Sequence, residues 1–409
     1  MYSKRLFYFC SMEQITLFDD PAYRGSLLPF TFTRPVAEIR VGILKIREKW
    51  EKYLDASAGF LTLDYLQDKF PPLADSRLFI NGGLCPDQGL LTAIKSLEKG
   101  QCLFKDSTLL AAYPADPSAF SMDAVKESGE IKAYDGEITL IHRNWHIFQY
   151  NALELRKDFA LLTARRTSAG INDPHTIAYN PEMIFVEEGA KIRAAVLNAE
   201  DGPIYIGKDA QVQEGALIKG PFALCEGSTV NMGGKMRGDS TIGPFSKVGG
   251  EVSNSVIFGF SNKGHDGFMG NTVIGEWCNF GADTNISNLK NNYAPVKVWD
   301  YTKGSFVNTG LQFCGLMMGD HSKTGINTMF NTGTVVGVGA NVFGAGFPRT
   351  FVPSFSWGAE ERTTFRMNKF EETASKVMER RGLAFDQKEK SILEKVFDLT
   401  KAYRIWDKE

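Results

Sequence analysis

The run Gly264-His265-Asp266-Gly267-Phe268-Met269-Gly270 sets an imidazole among glycines. An imidazole takes up and releases a proton near neutral pH, so His265 is a candidate general base. The plainer alternative is a corner histidine hydrogen-bonded to backbone, and spacing alone leaves both open. The chain holds five histidines (His142, His146, His175, His265 and His321), and only His265 and His321 fall in its main repeats. Six cysteines (Cys10, Cys85, Cys102, Cys225, Cys278 and Cys314) are scattered without paired spacing. That reads as free thiols in a reducing compartment, not as a disulfide framework or a zinc site.

The element that must position His265 is legible as a period. Ile206, Val212, Ile218, Leu224, Val230, Met236, Ile242 and Val248 follow one another at six-residue steps. A helix repeats every 3.6 residues and a strand every 2, so a period of six fits neither alone. Hexads of this kind build a β-helix, in which three short strands and three turns make one coil and each hexad points one aliphatic side chain inward. Weaker hexads at Val186, Ile192 and Ile204 form the first coil. Val256, Phe268, Ile274, Phe280 and Ile286 continue the inward set, with Asn262 in one inward slot and a two-residue slip between Val248 and Val256. A stretch of roughly 287–315 breaks the pattern and reads as a loop thrown out of the coil. Met318, Thr324, Phe330, Val336 and Val342 then resume it. Insertions on one face of a solenoid often carry its site.

Four segments follow. Residues 12–150 read as mixed α/β, with strands at Ile15–Phe18, Leu78–Ile80 and Ile138–Ile141 and helices at Val41–Leu54 and Gln88–Glu98. Alternating strands and helices favour a parallel sheet. Residues 151–179 form a linker opening with a helix, 180–350 the β-helix, and 351–409 a helical extension. In that extension Gly382 after Arg380-Arg381 reads as a helix stop. Asp386 with Glu389 reads as a capping box opening a final helix, whose stripe Ile392, Val396, Leu399 and Tyr403 must pack on the last coil or on a neighbouring subunit. A net charge of −2 gives no electrostatic footprint for nucleic acid. No apolar run approaches the ~18 residues that span a membrane. Residues 1–11, with Lys4 and Arg5, are too short for a signal peptide, Met12 is a candidate start, and the expected location is the cytoplasm.

The run from Ser255 to Asn288 resembles the acetyltransferase half of the bacterial bifunctional N-acetylglucosamine-1-phosphate uridyltransferase/glucosamine-1-phosphate acetyltransferase family. The resemblance implies a left-handed parallel β-helix, a homotrimer, and acetyl-CoA sites between subunits. It implies that His265 takes a proton from a sugar amine attacking the thioester, and that Asn279 and Asn288 hold sugar and acyl groups. The family's tyrosine after the histidine corresponds to Phe268, and a second tyrosine to Leu289. Its phosphate-binding lysine corresponds to Ser253. Of two arginines, the first corresponds to Lys247 and the second to Gly249. Charge-assisted contacts to phosphate are strong, so these losses bear on the acceptor sugar. Lys290, in Asn288-Leu-Lys-Asn-Asn-Tyr293, stands either as a replacement phosphate ligand or as a solvated loop lysine. A γ-class carbonic anhydrase shares this β-helix but uses three zinc histidines, and no His-x4-His pair exists here.

In the N-terminal part, the Gly-x-Gly-Thr-Arg-Met signature of the family is absent. Leu28-Pro-Phe-Thr-Phe-Thr-Arg-Pro-Val-Ala-Glu-Ile-Arg-Val-Gly42 stands in its place. This is similar to a divergent group of bacterial sugar nucleotidyltransferase-like proteins joined to β-helices, and the similarity covers almost the whole chain. A nucleotidyltransferase needs cations and backbone to cradle a triphosphate and an acid for Mg²⁺. Arg34, Arg40 and Lys49 are the candidate cations; otherwise they decorate a solvated helix face. Asn81-Gly82-Gly83 occupies the strand end where the family places a Gly-Asp metal site, so Asn81 and Gly82 are candidates for the nucleotide. Asp19, Asp20 or Asp87 could supply a carboxylate, although strand-end aspartates are also ordinary turn formers.

The expectation is therefore a two-domain sugar-nucleotide enzyme. It would transfer an acyl group from acetyl-CoA to an amino-sugar 1-phosphate and a nucleotidyl group from an NTP such as UTP, with Mg²⁺. The alternatives are nucleotidyl transfer alone on a trimerising scaffold, or a sugar-nucleotide-binding protein without catalysis.

Overall fold

A computed structural model describes residues 13–359 and 362–407; the candidate start Met12 and Cys10 lie outside them. Two compact units emerge. One contains Ile46–Leu140 with the segment that ends at Asp20, and the other contains Pro21–Lys45 and Ile141 onward.

The second unit is a parallel β-solenoid. One face is a nine-stranded ladder from Ile184–Val186 to Phe351–Val352, and another an eight-stranded ladder from Ile177–Tyr179 to Met329–Phe330. The third face is two ladders of five and four strands, bridged through Asn279. In the regular coils residues eighteen apart are partners, as with Ile206 and Leu224. The eight hexad residues from Ile206 to Val248 all lie in one buried core, as the period required. Stacked aliphatic side chains bury one another there, at roughly 1.5–3 kcal/mol each.

The slip near residue 250 differs from the expected one. Ile242 pairs with Ile257 and Val248 with Lys263, each fifteen residues on instead of eighteen. The inward set is therefore Val252, Ile257, Lys263 and Met269. Asn262 points outward, and Phe268 is half-buried beside the inward Met269. The shortened coil thus places a lysine where its neighbours carry Val248 and Phe280.

The loop expected at 287–315 holds an antiparallel hairpin, Lys297–Asp300 with Ser305–Asn308. Helices Met367–Glu379 and Gln387–Leu399 follow the last coil. Asp386 caps the second by accepting from the Glu389 N–H at 2.9 Å. Ile392 and Val396 are buried as expected, but Leu399 is exposed and Leu393 takes its place. The pair docks through Phe355, whose ring meets Phe370 and Phe397, each at 5.0 Å.

The other unit carries a six-stranded sheet, in spatial order Ala56–Leu61, Glu13–Phe18, Leu78–Asn81, Thr108–Tyr113, Gln101–Lys105, Glu130–Ala133. It is mixed, not all parallel, because Gln101–Lys105 and Thr108–Tyr113 form a hairpin turning at Asp106, a residue with φ +52°. The strand expected at Ile138–Ile141 shrinks to Thr139–Leu140, paired with Leu84–Cys85 off the main sheet. The helix expected from Val41 begins at Ile46. Residues 21–45, expected within the α/β domain, pack with the solenoid instead, through long-range partners described below. No helix of the described residues is long and apolar enough to cross a membrane.

Candidate active site

A cavity of about 900 Å³ opens on the third face of the solenoid. Its floor is an outward column set by strand register. Lys247 partners Asn262, Asn262 bridges to Asn279, and Asn279 bridges to Lys323. Alternation sends each of these outward while the next residue faces the core. His265 stands exposed at the corner that ends this column's Asn262–Lys263 strand, and it too lines the cavity.

Two interactions shape that corner from beneath. Asn231 Nδ2 donates to Gly264 O at 2.7 Å. The buried Lys263 ammonium donates to His265 O and, at 2.8 Å, to Asp266 O. Burial is the largest influence on Lys263 and pulls its pKa down to about 8, against the opposing carboxylates of Asp266 and Asp283. Gly267, at φ +111°, lies so close to the next coil that an added Cβ would stand 2.1 Å from Thr284 O. The His265 side chain has no hydrogen-bond partner among the described residues.

One wall is aromatic. Phe260 stacks on Trp277 at 4.4 Å with 12° between the planes. Cys278 also borders the cavity, but burial pushes its thiol up to about 12, so it offers no thiolate nucleophile. The opposite side comes from the tail, where Val377, Arg380 and Arg381 close in. His321 is buried outside the cavity, 6.2 Å from the Trp277 ring, with neither ring nitrogen hydrogen-bonded and Nε2 3.9 Å from Glu389 Oε1.

Of the residues singled out in sequence, the structure brings together Lys247, His265 and Asn279. It does not bring Phe268, Asn288 or Lys290 to this cavity. The Phe268 N–H bonds to Asn285 Oδ1, Asn288 Nδ2 donates to Asn271 Oδ1 at 2.7 Å, and Lys290 Nζ donates to Pro295 O at 2.9 Å. Sequence reasoning missed Asn262, Lys323, Arg380 and Arg381. Lys323 was findable, since it precedes the inward Thr324 as Lys247 precedes Val248. The arginines had no signal beyond their place at a helix end.

Arg34 and Arg40 are not on a solvated helix face. Arg34 is buried, paired with Asp320 and, at 3.2 Å, with Glu276, while Thr33 Oγ1 donates to the same Asp320 oxygen at 2.7 Å. Burial alone would lower the Arg34 pKa, but the two carboxylates more than reverse it, so it is a fixed cation. Arg40 donates through Nε to Phe258 O at 3.0 Å and also to Ile43 O. Lys49 is buried within its helix.

In the α/β unit, Phe18 lies beside Asn81 at the carboxyl ends of two parallel strands, which gathers Asp19, Asp20, Asn81 and Gly82 at one sheet edge. Such edges are where α/β sheets bind ligands. Asn81, however, spends its amide on Leu109 O and its oxygen on the Gly83 N–H, and the Gly82 N–H bonds to Phe18 O. Asp19 accepts from Thr62 Oγ1 and Asp20 is buried. Asp87 caps the Gln88–Lys95 helix through the Leu90 N–H. A neutral amide already saturated by backbone does not fit the oxygen-rich shell that Mg²⁺ requires. Among the described residues, no three His, Cys, Asp or Glu side chains group as a metal site. The cavity of about 960 Å³ in this unit lies at the opposite strand ends, by Gln14, Ser76 and Leu78.

The architecture is that of an α/β domain followed by a hexapeptide-repeat β-solenoid with a histidine at a cavity. Residues 15–167 match the family model described as sugar nucleotidyl transferase. A bifunctional sugar-1-phosphate nucleotidylyltransferase/acetyltransferase from Sulfurisphaera tokodaii is 32% identical over 169 residues, 41% of this chain and 40% of that protein. The bifunctional protein GlmU of Methanocaldococcus jannaschii is 36% identical over 118 residues, 29% of this chain and 26% of its own length. The chain thus spans 40% and 26% of the length of these two curated relatives. The crystal structure of the polySia specific acetyltransferase NeuO overlaps 48% of this chain and 83% of its own at 14% identity, with a TM-score of only 0.24. These similarities in sequence are to a sugar nucleotidyl transferase family model and to bifunctional relatives.

Proposed function

We propose that the chain is a two-activity sugar-nucleotide enzyme, working as a cytoplasmic homotrimer. At the solenoid cavity an amino-sugar 1-phosphate such as glucosamine 1-phosphate receives the acetyl group of acetyl-CoA. The sugar nitrogen attacks the thioester carbonyl, the nitrogen–carbon bond forms, the carbon–sulfur bond breaks, and the thiolate of CoA leaves. His265 takes the ammonium proton as the nitrogen attacks and returns it to the thiolate. Asn279 and Lys247 hold the substrates beside it. Placing amine and thioester together removes most of the entropic barrier to such a transfer.

The observation that supports this reading is an exposed, unpartnered imidazole at the rim of a cavity whose floor is amide and ammonium groups. In the trimer, Phe268, Asn288 and Lys290 of a neighbouring subunit complete the site. The α/β domain joins the sugar phosphate to a nucleotide, UTP first among candidates, as the phosphate oxygen attacks the α-phosphorus and pyrophosphate leaves. The residues at its sheet edge do not define a Mg²⁺ shell, so no metal step is assigned.

The test is product analysis. The chain is incubated with acetyl-CoA and glucosamine 1-phosphate, and separately with UTP and N-acetylglucosamine 1-phosphate, and the sugars are identified by mass spectrometry. Acetylated sugar in the first and UDP-sugar in the second are the expected products. Product in the second alone would favour a nucleotidyltransferase on a scaffold. That second reading draws on the family match to residues 15–167 and on the absence, among the described residues, of any group orienting the His265 ring.

A further inference from the structure

The cavity at His265 is cationic from two directions. Lys247 and Lys323 lie on the solenoid floor, the Lys323 ammonium donating to His321 O at 3.0 Å, and Arg380 and Arg381 reach it from the end of the Met367–Glu379 helix. No Asp or Glu side chain among the described residues lines it. Among the described residues, the Lys247 and Arg380 side chains have no ion-pair or hydrogen-bond partner. Arg381 makes one contact, from Nη2 to Asn262 Oδ1 at 3.1 Å, which ties it to the floor.

The helix that brings the arginines is firmly seated. Phe370, Ala374 and Met378 are its buried face, and the Phe370 ring packs 5.7 Å from His321 and 5.0 Å from Phe355. Arginines at a helix C-terminus also complement its dipole, worth roughly 0.3–1 kcal/mol. That accounts for their charge, but not for a cavity where cations of two elements converge without a carboxylate.

The floor itself has no room for more charge beside His265. A Cβ at Gly249 would stand 2.5 Å from Gly264 O. A long cation there would displace the corner that carries His265. Further charge for an anion must therefore arrive from another element, and the tail supplies it.

We propose that Arg380 and Arg381 of the C-terminal tail, with Lys247 and Lys323, form a phosphate-binding subsite of the His265 cavity. Guanidinium forks suit phosphate oxygens, which they can bind in pairs. The inference rests on reading the cavity as the acyl-transfer site, and the phosphate belongs either to the CoA thioester or to the acceptor sugar.

Isothermal titration of the full chain with coenzyme A, and separately with glucosamine 1-phosphate, distinguishes the two sources. The Arg380→Ala/Arg381→Ala pair is expected to weaken one ligand at least tenfold and to flatten its dependence on salt. The ligand that weakens identifies the phosphate. An Arg380→Lys/Arg381→Lys pair keeps the charge and loses the fork, and should weaken the same ligand severalfold; it carries the test if the alanine pair fails to fold. Both affinities within twofold of wild type in the folded variants, or no binding of either ligand to wild type, would overturn the subsite. Binding is read without turnover. A chain that binds through these arginines yet acetylates no sugar would sink the acyl-transfer reading and leave the subsite standing.

Discussion

The solenoid cavity and the sheet edge of the α/β unit both gather polar residues singled out in sequence, but they differ in what those residues are already doing. Along the cavity floor, register places Lys247, Asn262, Asn279 and Lys323 in line, and neither Lys247 nor His265 has a side-chain partner among the described residues. At the sheet edge, the Asn81 amide is engaged by Leu109 O and the Gly83 N–H, and Asp19 accepts from Thr62 Oγ1. The cations meant to serve it go further still, since Arg34 is locked to Asp320 and Glu276 within the solenoid unit. Partly unsatisfied groups around a cavity are available to a ligand, whereas satisfied buried ones chiefly hold the fold together.

Arg34→Ala gives the largest effect on stability. It would strand the buried Asp320 carboxylate, and removing one partner of a buried pair costs about 3–5 kcal/mol. Denaturant unfolding should show that loss. A loss below about 1 kcal/mol together with lost nucleotide binding would return Arg34 to a ligand's role.

Lys263→Met probes the corner from below. The folded chain lowers this ammonium from the ordinary 10.5 to about 8. Between those values the unfolded chain binds the extra proton, so wild-type stability should rise with pH from about 8 to 10.5. The gain attributable to Lys263 is up to about 3 kcal/mol, and it should be missing from the variant's stability–pH curve. Turnover should also fall as the His265–Asp266 carbonyls lose their donor. Parallel curves for the two proteins would show that the ammonium is not buried as described.

Asp19→Asn is the mildest. It weakens one hydrogen bond from Thr62, at roughly 1 kcal/mol. UDP-sugar formation should persist; its complete loss would reopen Asp19 as a metal ligand and erase the contrast between the two regions.

Period and register explain how much could be read beforehand. The hexads from Ile206 to Val248 disclosed the solenoid because every coil repeats one inward slot, and they carried the setting of His265 with them. The same regularity misled at the shortened coil, where a slip of a different size put Lys263, not Asn262, inside. The hairpin turning at Asp106 was visible in the apolar runs Cys102–Phe104 and Leu109–Ala112, but the expectation of alternating strands and helices obscured it. Residues 21–45 could not be placed at all from local pattern, because Asp320, Glu276 and Phe258 lie more than two hundred residues away in sequence. The two arginines of the tail were hidden for the same reason.

The central claim, that His265 acts as a base on a bound amine, is tested most directly by CoA release from acetyl-CoA with glucosamine 1-phosphate, comparing wild type with His265→Ala. A general base contributes about 10²–10⁴-fold. Release should require the sugar and fall by at least 10²-fold in the variant, with CoA affinity retained. Sugar-dependent release at an unchanged rate in His265→Ala would contradict it.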